Sequence, residues 1–191
     1  MQLLEKHNFL EKTGLFSKIL KRKNIIKYGI MSGEFPVSEA ETKGNVKIAL
    51  IEKDQLHKRM KNVNISERNK IQFIHINTIQ ILLKSTFMEG IDCPVRLEIK
   101  DDRFINPQNA TIARGTCNLK YGKVRFDISL KICLSILENL DKTITFWYEF
   151  LDKNLMKKGT YPMGISYRIN YCLTNSMHSI QFKESDYIHL D

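Results

Sequence analysis

"IQFIHINTIQILL", residues 71–83, decides what kind of fold this chain can have. An isoleucine-rich run without proline or glycine is either a buried strand or part of a helix. At the period of a strand, Ile74, Ile76, Thr78, Gln80 and Leu82 face one way, and Phe73, His75, Asn77, Ile79, Ile81 and Leu83 the other. β-branched residues are stiff at χ1 and suit a pleated surface better than a helix. The segment therefore predicts a strand, with a helical end over 77–85 as the alternative.

The next periodic stretch downstream is "VRLEIKDDRF", residues 95–104. Val95, Leu97 and Ile99 alternate with Arg96, Glu98 and Lys100, the pattern of a half-buried strand. It ends in Asp101, Asp102 and Arg103, which raises three readings: a metal site, a general acid/base pair, or an ion pair that locks the fold. Neighbouring strand residues point to opposite faces, so the two aspartates do not easily share one magnesium ion. Glu89, Glu98 and Asp127 add no metal-like spacing. An acid/base pair needs carboxylates converging in a cleft, and nothing in the spacing predicts convergence. The expectation is that one aspartate turns inward onto backbone N–H groups or an arginine while the other stays wet, because buried carboxylates persist only when paired.

Further strands are predicted in "VKIALI" (46–51), in "GKVRFDISLKICL" (122–134), where Val124, Phe126, Ile128 and Leu130 alternate with a basic, wet face, and in "GISYRINYCLTNS" (164–176), with "SIQF" (179–182) pairing beside it. In "TITFWYEFL" (143–151) Leu137, Leu140, Ile144, Tyr148 and Leu151 also fit a helix, and the β-branched Thr143, Ile144 and Thr145 favour a strand in the middle. "EKDQLHKRMKN" (52–62) reads as a short charged helix. "GIMSGEFPVSEAETKGN" (29–45) reads as a connector and "NPQNATIARGT" (106–116) as turn-rich. Modest strands separated by turns predict a mainly β chain, an antiparallel sandwich or barrel. No strand runs through a glycine-rich turn into a helix, which argues against a dinucleotide fold. Residues 1–45 form an N-terminal extension and linker in this reading, and residues 46–191 the core.

In residues 1–28, Leu3, Leu4, Phe9, Leu10, Leu15, Phe16, Ile19, Leu20 and Ile26 recur at roughly helical spacing, interrupted by Gly14. Lys18, Lys21, Arg22, Lys23 and Lys27 form a basic cluster there. Such a segment either packs its apolar side on the domain or lies on a membrane surface, with its basic face free to grip phosphates in both cases.

At 191 residues the chain is long enough for one real core, and 42% hydrophobic content with 4 prolines argues against disorder. A formal net charge of +9 favours a polyanionic partner, either nucleic acid or an anionic membrane face. No apolar run reaches bilayer-spanning length. The cysteines, Cys93, Cys117, Cys133 and Cys172, have neither zinc nor redox spacing and read as free thiols. His75 reads as a satisfied core histidine; His178 and Ser176 lack partners at catalytic spacing, and no phosphate-binding glycine loop exists. The expectation is a non-enzyme without metal or cofactor. Lys120, Lys123, Arg125 and Lys131, interleaved with Tyr121 and Phe126, are candidate nucleic-acid-binding residues, since a basic sheet face with aromatics can track a single strand. A merely solvated strand face is the alternative.

Several words of this sequence resemble the movement proteins of caulimoviruses, members of the wider "30K" superfamily of plant viral movement proteins. They are "ILLKSTFMEGIDCPV" (81–95), "KDDRF" (100–104), "RGTCNLKYGKVRF" (114–126), "DKNLMKKG" (152–159) and "YCLTNSMHSI" (171–180), in the family's order. The superfamily signature, an apolar residue two before an aspartate and then a distant glycine, is similar to Ile99, Asp101 and Gly159, with Gly164 as the other glycine. The resemblance extends to Asp102, Arg103, Gly122, Asn154, Leu173, Thr174 and Asn175 as structural or assembly positions. It implies a single jelly-roll β-sandwich akin to viral capsid domains, no catalysis, and nucleic-acid binding without much sequence preference. It further implies homo-oligomers, often tubules, and plasmodesmal host partners at cell junctions. Family members continue into a C-terminal tail that engages virion-associated protein. The sequence here ends at Asp191, so either that tail is trimmed or the chain is a shortened, genome-integrated copy.

Overall fold

The computed structural model describes residues 25–38, 46–152 and 159–178. The reading of 71–83 as strand holds to its end, because β3 spans Phe73–Ser85 without a helical turn. In chain order the strands are β1 (Ile26–Val37), β2 (Val46–Ala49), β3, β4 (Pro94–Asp101), β5 (Thr111–Asn118), β6 (Lys123–Ser135), β7 (Ile144–Phe150) and β8 (Met163–Thr174). Helices α1 (Lys53–Lys61) and α2 (Ile65–Arg68) lie between β2 and β3, and α3 (Pro107–Ala110) between β4 and β5. One sheet has the order β1-β8-β3-β6 and the other β2-β7-β4-β5, with every pairing antiparallel. This ordering is a jelly roll, in which the chain crosses between two four-stranded sheets that face each other. The expected N-terminal helix and the "SIQF" pairing fall outside the described residues.

The core lies between the sheets. Val95, Leu97 and Ile99 of β4 and Phe146, Tyr148 and Phe150 of β7 face Ile79, Ile81, Tyr167 and Ile169 of the other sheet. Along β7 the three rings pack in a row, Phe146 tilted on Tyr148 and Tyr148 edge-on to Phe150, with centroids 6.2 and 6.1 Å apart. Each such fully buried side chain is worth about 1.5–3 kcal/mol.

Simple alternation fails inside β3. Ile74 and Ile76 face the core, but so do Ile79, Ile81 and Leu83. The pairing shifts between Ile76 and Thr78: the neighbouring strand steps directly from Tyr171 to Asn170, leaving Asn77 as an extra residue. A bulge of this kind re-phases the strand, so a sequence read at strict period 2 misassigns everything beyond it.

Two other expectations are corrected. The supposed connector is, over Ile26–Val37, the edge strand β1, so the sandwich begins well before residue 46. Its glycines do not mark turns. A Cβ on Gly33 would sit 2.5 Å from the ring of Tyr167, so glycine is needed where that ring crosses β1. Gly29 lies in the same way under Tyr171. The turn-rich stretch 106–116 likewise ends in strand β5, where Gly115 lies against Phe126.

Helix α1 closes the open side of β1. Its Leu56 and Met60 join the core, while Arg59 Nη2 donates to the Ile30 carbonyl and Gln55 Nε2 to that of Ser32, each at 3.3 Å. Those carbonyls are two residues apart and point the same way, out of the sheet edge.

Replacing Gly33 by valine is expected to destabilise the fold by about 1–3 kcal/mol through overpacking against Tyr167. Urea denaturation checks this, and a neutral result would mean that Tyr167 does not cross β1 so closely.

Candidate functional site

Strand β4 carries the Asp-Asp-Arg rim, and the strand's own alternation separates the two acids. Ile99 is fully buried and paired with Phe146, and Asp101, two residues on, continues inward at 2% exposure. Its Oδ1 accepts from the Arg103 backbone N–H at 3.1 Å and from Arg103 Nε at 2.9 Å, and its Oδ2 from Arg103 Nη2 at 2.7 Å. The arginine that the inward aspartate meets is Arg103, two residues on. Arg114 instead pairs Glu98 across the strands at 2.8 Å. The hydrogen bond to Asp101 holds the Arg103 guanidinium above its ordinary pKa, against the opposing effect of burial. Arg103 also reaches Glu138, at 3.5 Å.

Asp102 does not stay wet. Its Oδ2 accepts from Thr145 Oγ1 at 2.8 Å and pairs Lys47 Nζ at 2.7 Å, and its backbone N–H donates to the Thr143 carbonyl. The two carboxylates are thus drawn to different partners, Arg103 on one side and Lys47 with Thr145 on the other. Among the described residues, no group of three or more His, Cys, Asp or Glu gathers as a metal ion requires. His75 is buried, with Nε2 2.8 Å from the Ser176 carbonyl oxygen.

The outer face of the β2-β7-β4-β5 sheet continues the rim as a ladder of charges. Lys100 and Lys47 lie 4.5 and 5.5 Å from the centroid of Trp147, whose Nε1 donates to Thr145 Oγ1. Arg96 pairs Glu149 at 3.0 Å. Burial pushes the Glu98 carboxyl up, but Lys100 and Arg114 together outweigh it and hold the group below its ordinary range.

The predicted basic residues divide. Lys123, Arg125 and Lys131 are exposed on β6, the far edge strand of the other sheet. Arg125 is neutralised by Asp127 at 2.7 Å, so the strand is less basic than its sequence. Phe126 turns into the sandwich, while Tyr121 is 71% exposed with Lys120 Nζ 5.2 Å from its ring centroid. The turn holding these two is a 3-10 segment, Leu119–Tyr121, closed by Gly122 at φ 73°. A Cβ there would meet nothing, so the backbone conformation and not space calls for glycine. The Ser85 N–H donates to the Gly122 carbonyl, which ties this turn to the end of β3. Pairing then sets Lys84 directly opposite Lys123. Like charges across strands repel, so Lys84 and Lys123, with Lys120 on Tyr121 in the adjoining turn, concentrate positive charge at this corner. Lys84 was illegible as part of it, because only strand register brings it there.

Gly159 has φ 84° in the turn before β8, whereas Gly164 lies within the strand. Leu173 and Thr174 are buried at the end of β8; Thr174 Oγ1 accepts from the Ser176 N–H, and Asn175 Oδ1 accepts from the Ile25 N–H at 3.0 Å. Asn154 and the basic residues Lys18, Lys21, Arg22 and Lys23 lie outside the described residues.

A jelly roll with a paired acidic rim and a basic corner is compatible with many roles, and here comparison with known proteins decides. The sequence profile described as "Viral movement protein (MP)" matches residues 1–187. The chain belongs to this family. It is 42% identical over 191 residues to the movement protein of Soybean chlorotic mottle virus, covering 99% of this chain and 63% of that one. With the movement protein of Figwort mosaic virus (strain DxS) identity is 36% over 180 residues, 94% of this chain and 56% of the other. With that of Cauliflower mosaic virus (strain Strasbourg) it is 33% over 193 residues, 98% and 59%. The chain thus spans under two thirds of the length of these relatives. In structure it is similar to a chain of Turnip Yellow Mosaic Virus, with TM-score 0.52 and 5% identity over 85% of this chain and 99% of that one. It is likewise similar to one of Cocksfoot mottle virus, at 0.51 and 11% over 79% and 95%. At such identities the likeness concerns the fold alone. Among the described residues, no helix is long and apolar enough to cross a membrane.

Replacing Asp101 by alanine is expected to cost about 1–3 kcal/mol, the loss of several hydrogen bonds to a charged group. The same change at Asp102, whose partner Lys47 is well exposed, should cost about 1 kcal/mol or less. Urea midpoints would test this, and equal losses would contradict the division of labour. Because Glu98 titrates below its unfolded counterpart, its network adds stability above the ordinary carboxylate range and gives it up as pH falls through the folded value. Glu98→Gln should therefore flatten the acid side of the stability profile, as pH falls below the ordinary carboxylate range.

Proposed function

We propose that this chain is the jelly-roll part of a protein that carries viral genomes or particles from cell to cell through plasmodesmata. The observation that carries the reading is the family match over residues 1–187. The chemistry agrees with it: a net charge of +9 and an outward cluster of Lys84, Lys120 and Lys123 beside exposed Tyr121 suit a phosphate backbone with an unstacked base. In this reading the cargo nucleic acid is bound without sequence preference, copies of the chain assemble with one another into a tubule, and plasmodesmal host proteins are the docking partners. Membrane contact is peripheral, through the basic N-terminal segment. The Asp101–Arg103 pair serves the fold and its assembly and does no chemistry.

The second reading is a nucleic-acid-binding module with no channel role, favoured by the same basic corner. A fluorescent fusion in leaf epidermal cells separates the two. Punctate foci at the cell wall, lost in Asp101→Ala, are expected of the movement role; a diffuse signal from both forms would leave only the binding module.

Binding itself is measurable. If about six phosphates are contacted, affinity should fall on the order of a thousandfold between 50 and 200 mM salt. The triple change Lys84→Ala, Lys120→Ala and Lys123→Ala should make the logarithmic salt slope shallower by about two to three units, on all sequences alike. An unchanged slope would place the contacts elsewhere.

A further inference from the structure

Two tyrosines of β8, Tyr167 and Tyr171, reach across β1 to its outer border. Each ring passes over a glycine: a Cβ on Gly33 would lie 2.8 Å from the Tyr167 hydroxyl, and one on Gly29 2.7 Å from that of Tyr171. Beyond the crossing the two hydroxyls differ. Tyr167 donates to Glu52 Oε1 at 2.7 Å. Tyr171 is just as buried, at 2% exposure, yet among the described residues its hydroxyl has no hydrogen-bond partner. It meets instead a cavity of about 330 Å³ between β1 and α1. Residues 30–32 of β1 form one wall, and Lys58, Arg59 and Asn62, from the last turn and end of the helix, form the other. The lining carries two cations and no carboxylate. The acids nearest in the chain do not supply one: Asp54 lies outside the lining, and Glu52 is held by Tyr167 and by Gln55 Nε2 at 2.7 Å. Arg59 gives Nη2 to the Ile30 carbonyl and keeps other N–H groups of its fork to donate. A helix end gathers lysine and arginine for the sake of its own dipole, but that does not account for a phenol buried without an acceptor.

We propose that this cavity binds a phosphate monoester, with the Tyr171 hydroxyl, Lys58, Arg59 and the Asn62 amide as its donors. The pairing of Tyr167 with Glu52 shows what a hydroxyl in this setting takes, which is an anionic oxygen. Burial pushes the Tyr171 pKa up, with Arg59 opposing it, so the group stays protonated and able to donate. Two cations match the nearly double negative charge of a monoester. Donors arriving from the helix and from the floor of the cavity suit tetrahedral oxygens better than a planar carboxylate. The backbone of a nucleic acid offers singly charged diesters, which match this pair of cations less well. The volume stands at the lower end of small-molecule pockets, about 300–1,000 Å³, enough for a phosphate with a compact substituent. The same chemical group occurs free, on a sugar or an inositol, and as a lipid headgroup. Since β1 and β6 are opposite borders of one sheet, the site is separate from the Lys84 and Lys123 corner.

Calorimetry of the full chain with inositol monophosphate tests the site, with Tyr171→Phe and Lys58→Gln as the variants. Tyr171→Phe alters no charge and removes no hydrogen bond among the described residues, so its urea midpoint should equal that of the native chain. The expected result is binding by the native chain, weakened about tenfold or more in each variant. Flotation with phosphatidylcholine vesicles carrying a phosphatidylinositol monophosphate distinguishes the sources. Retention on those vesicles, lost in Tyr171→Phe, makes a lipid headgroup the ligand; calorimetric binding without retention makes it the free monoester. The proposal is overturned if the native chain binds neither form, or if Tyr171→Phe binds as tightly as the native chain. Should Tyr171→Phe fail to fold, undiminished binding by Lys58→Gln alone overturns it.

Discussion

The sandwich depends on the one residue by which β3 outruns its partner. Asn77 has no counterpart on β8, and the strand rolls over by one position as it passes. Without that step, Ile79, Ile81 and Leu83 would leave the core and Thr78 and Gln80 would enter it. Taking those three side chains out of the core would forgo about 1.5–3 kcal/mol each, close to the whole margin by which a fold is stable. Both parts of β3 can be in phase with the same core only because the bulge absorbs the mismatch, and β8 and β6 then keep a single alternation throughout.

A second ordering principle is electrostatic. The rim after β4 joins three parts of the chain: Asp101 holds the turn through Arg103, Arg103 reaches Glu138 before β7, and Asp102 ties β2 to β7 through Lys47 and Thr145. These bonds fix where the loops leave the sheet more than they add net stability, since their cations are largely in contact with water. The basic corner is the reverse case. Lys84 and Lys123 are set side by side, an arrangement that favours the arrival of an anion.

What could be read from the residues follows the strength of alternation. β4 and β8 announce themselves, because each presents regularly spaced large apolar side chains to one face, whereas β7 reads almost as well as a helix. β1 and β5 do not, because glycines occupy their inward positions. Gly33 reads as a turn until the ring of Tyr167 is seen crossing it. The inward turn of Asp101 was legible from the physics of a buried acid. The partners of Asp102 and the place of Lys84 were not, since both depend on register between strands far apart in the chain. The carriage of function by a jelly roll came through sequence words shared with a family and not from any arrangement of reactive groups.

The hold of α1 on the β1 edge has a consequence for behaviour at high concentration. An exposed outer strand is the usual place where sheets of separate molecules fuse into insoluble stacks. Here an intruding strand would first have to strip Arg59 from the Ile30 carbonyl and Gln55 from that of Ser32, and push the helix off its apolar seat. On the opposite flank, β6 meets newcomers with Lys123 and Lys131. In this sheet one border is locked and the other repels its own kind, so its two edges are poor templates for a strand from another copy.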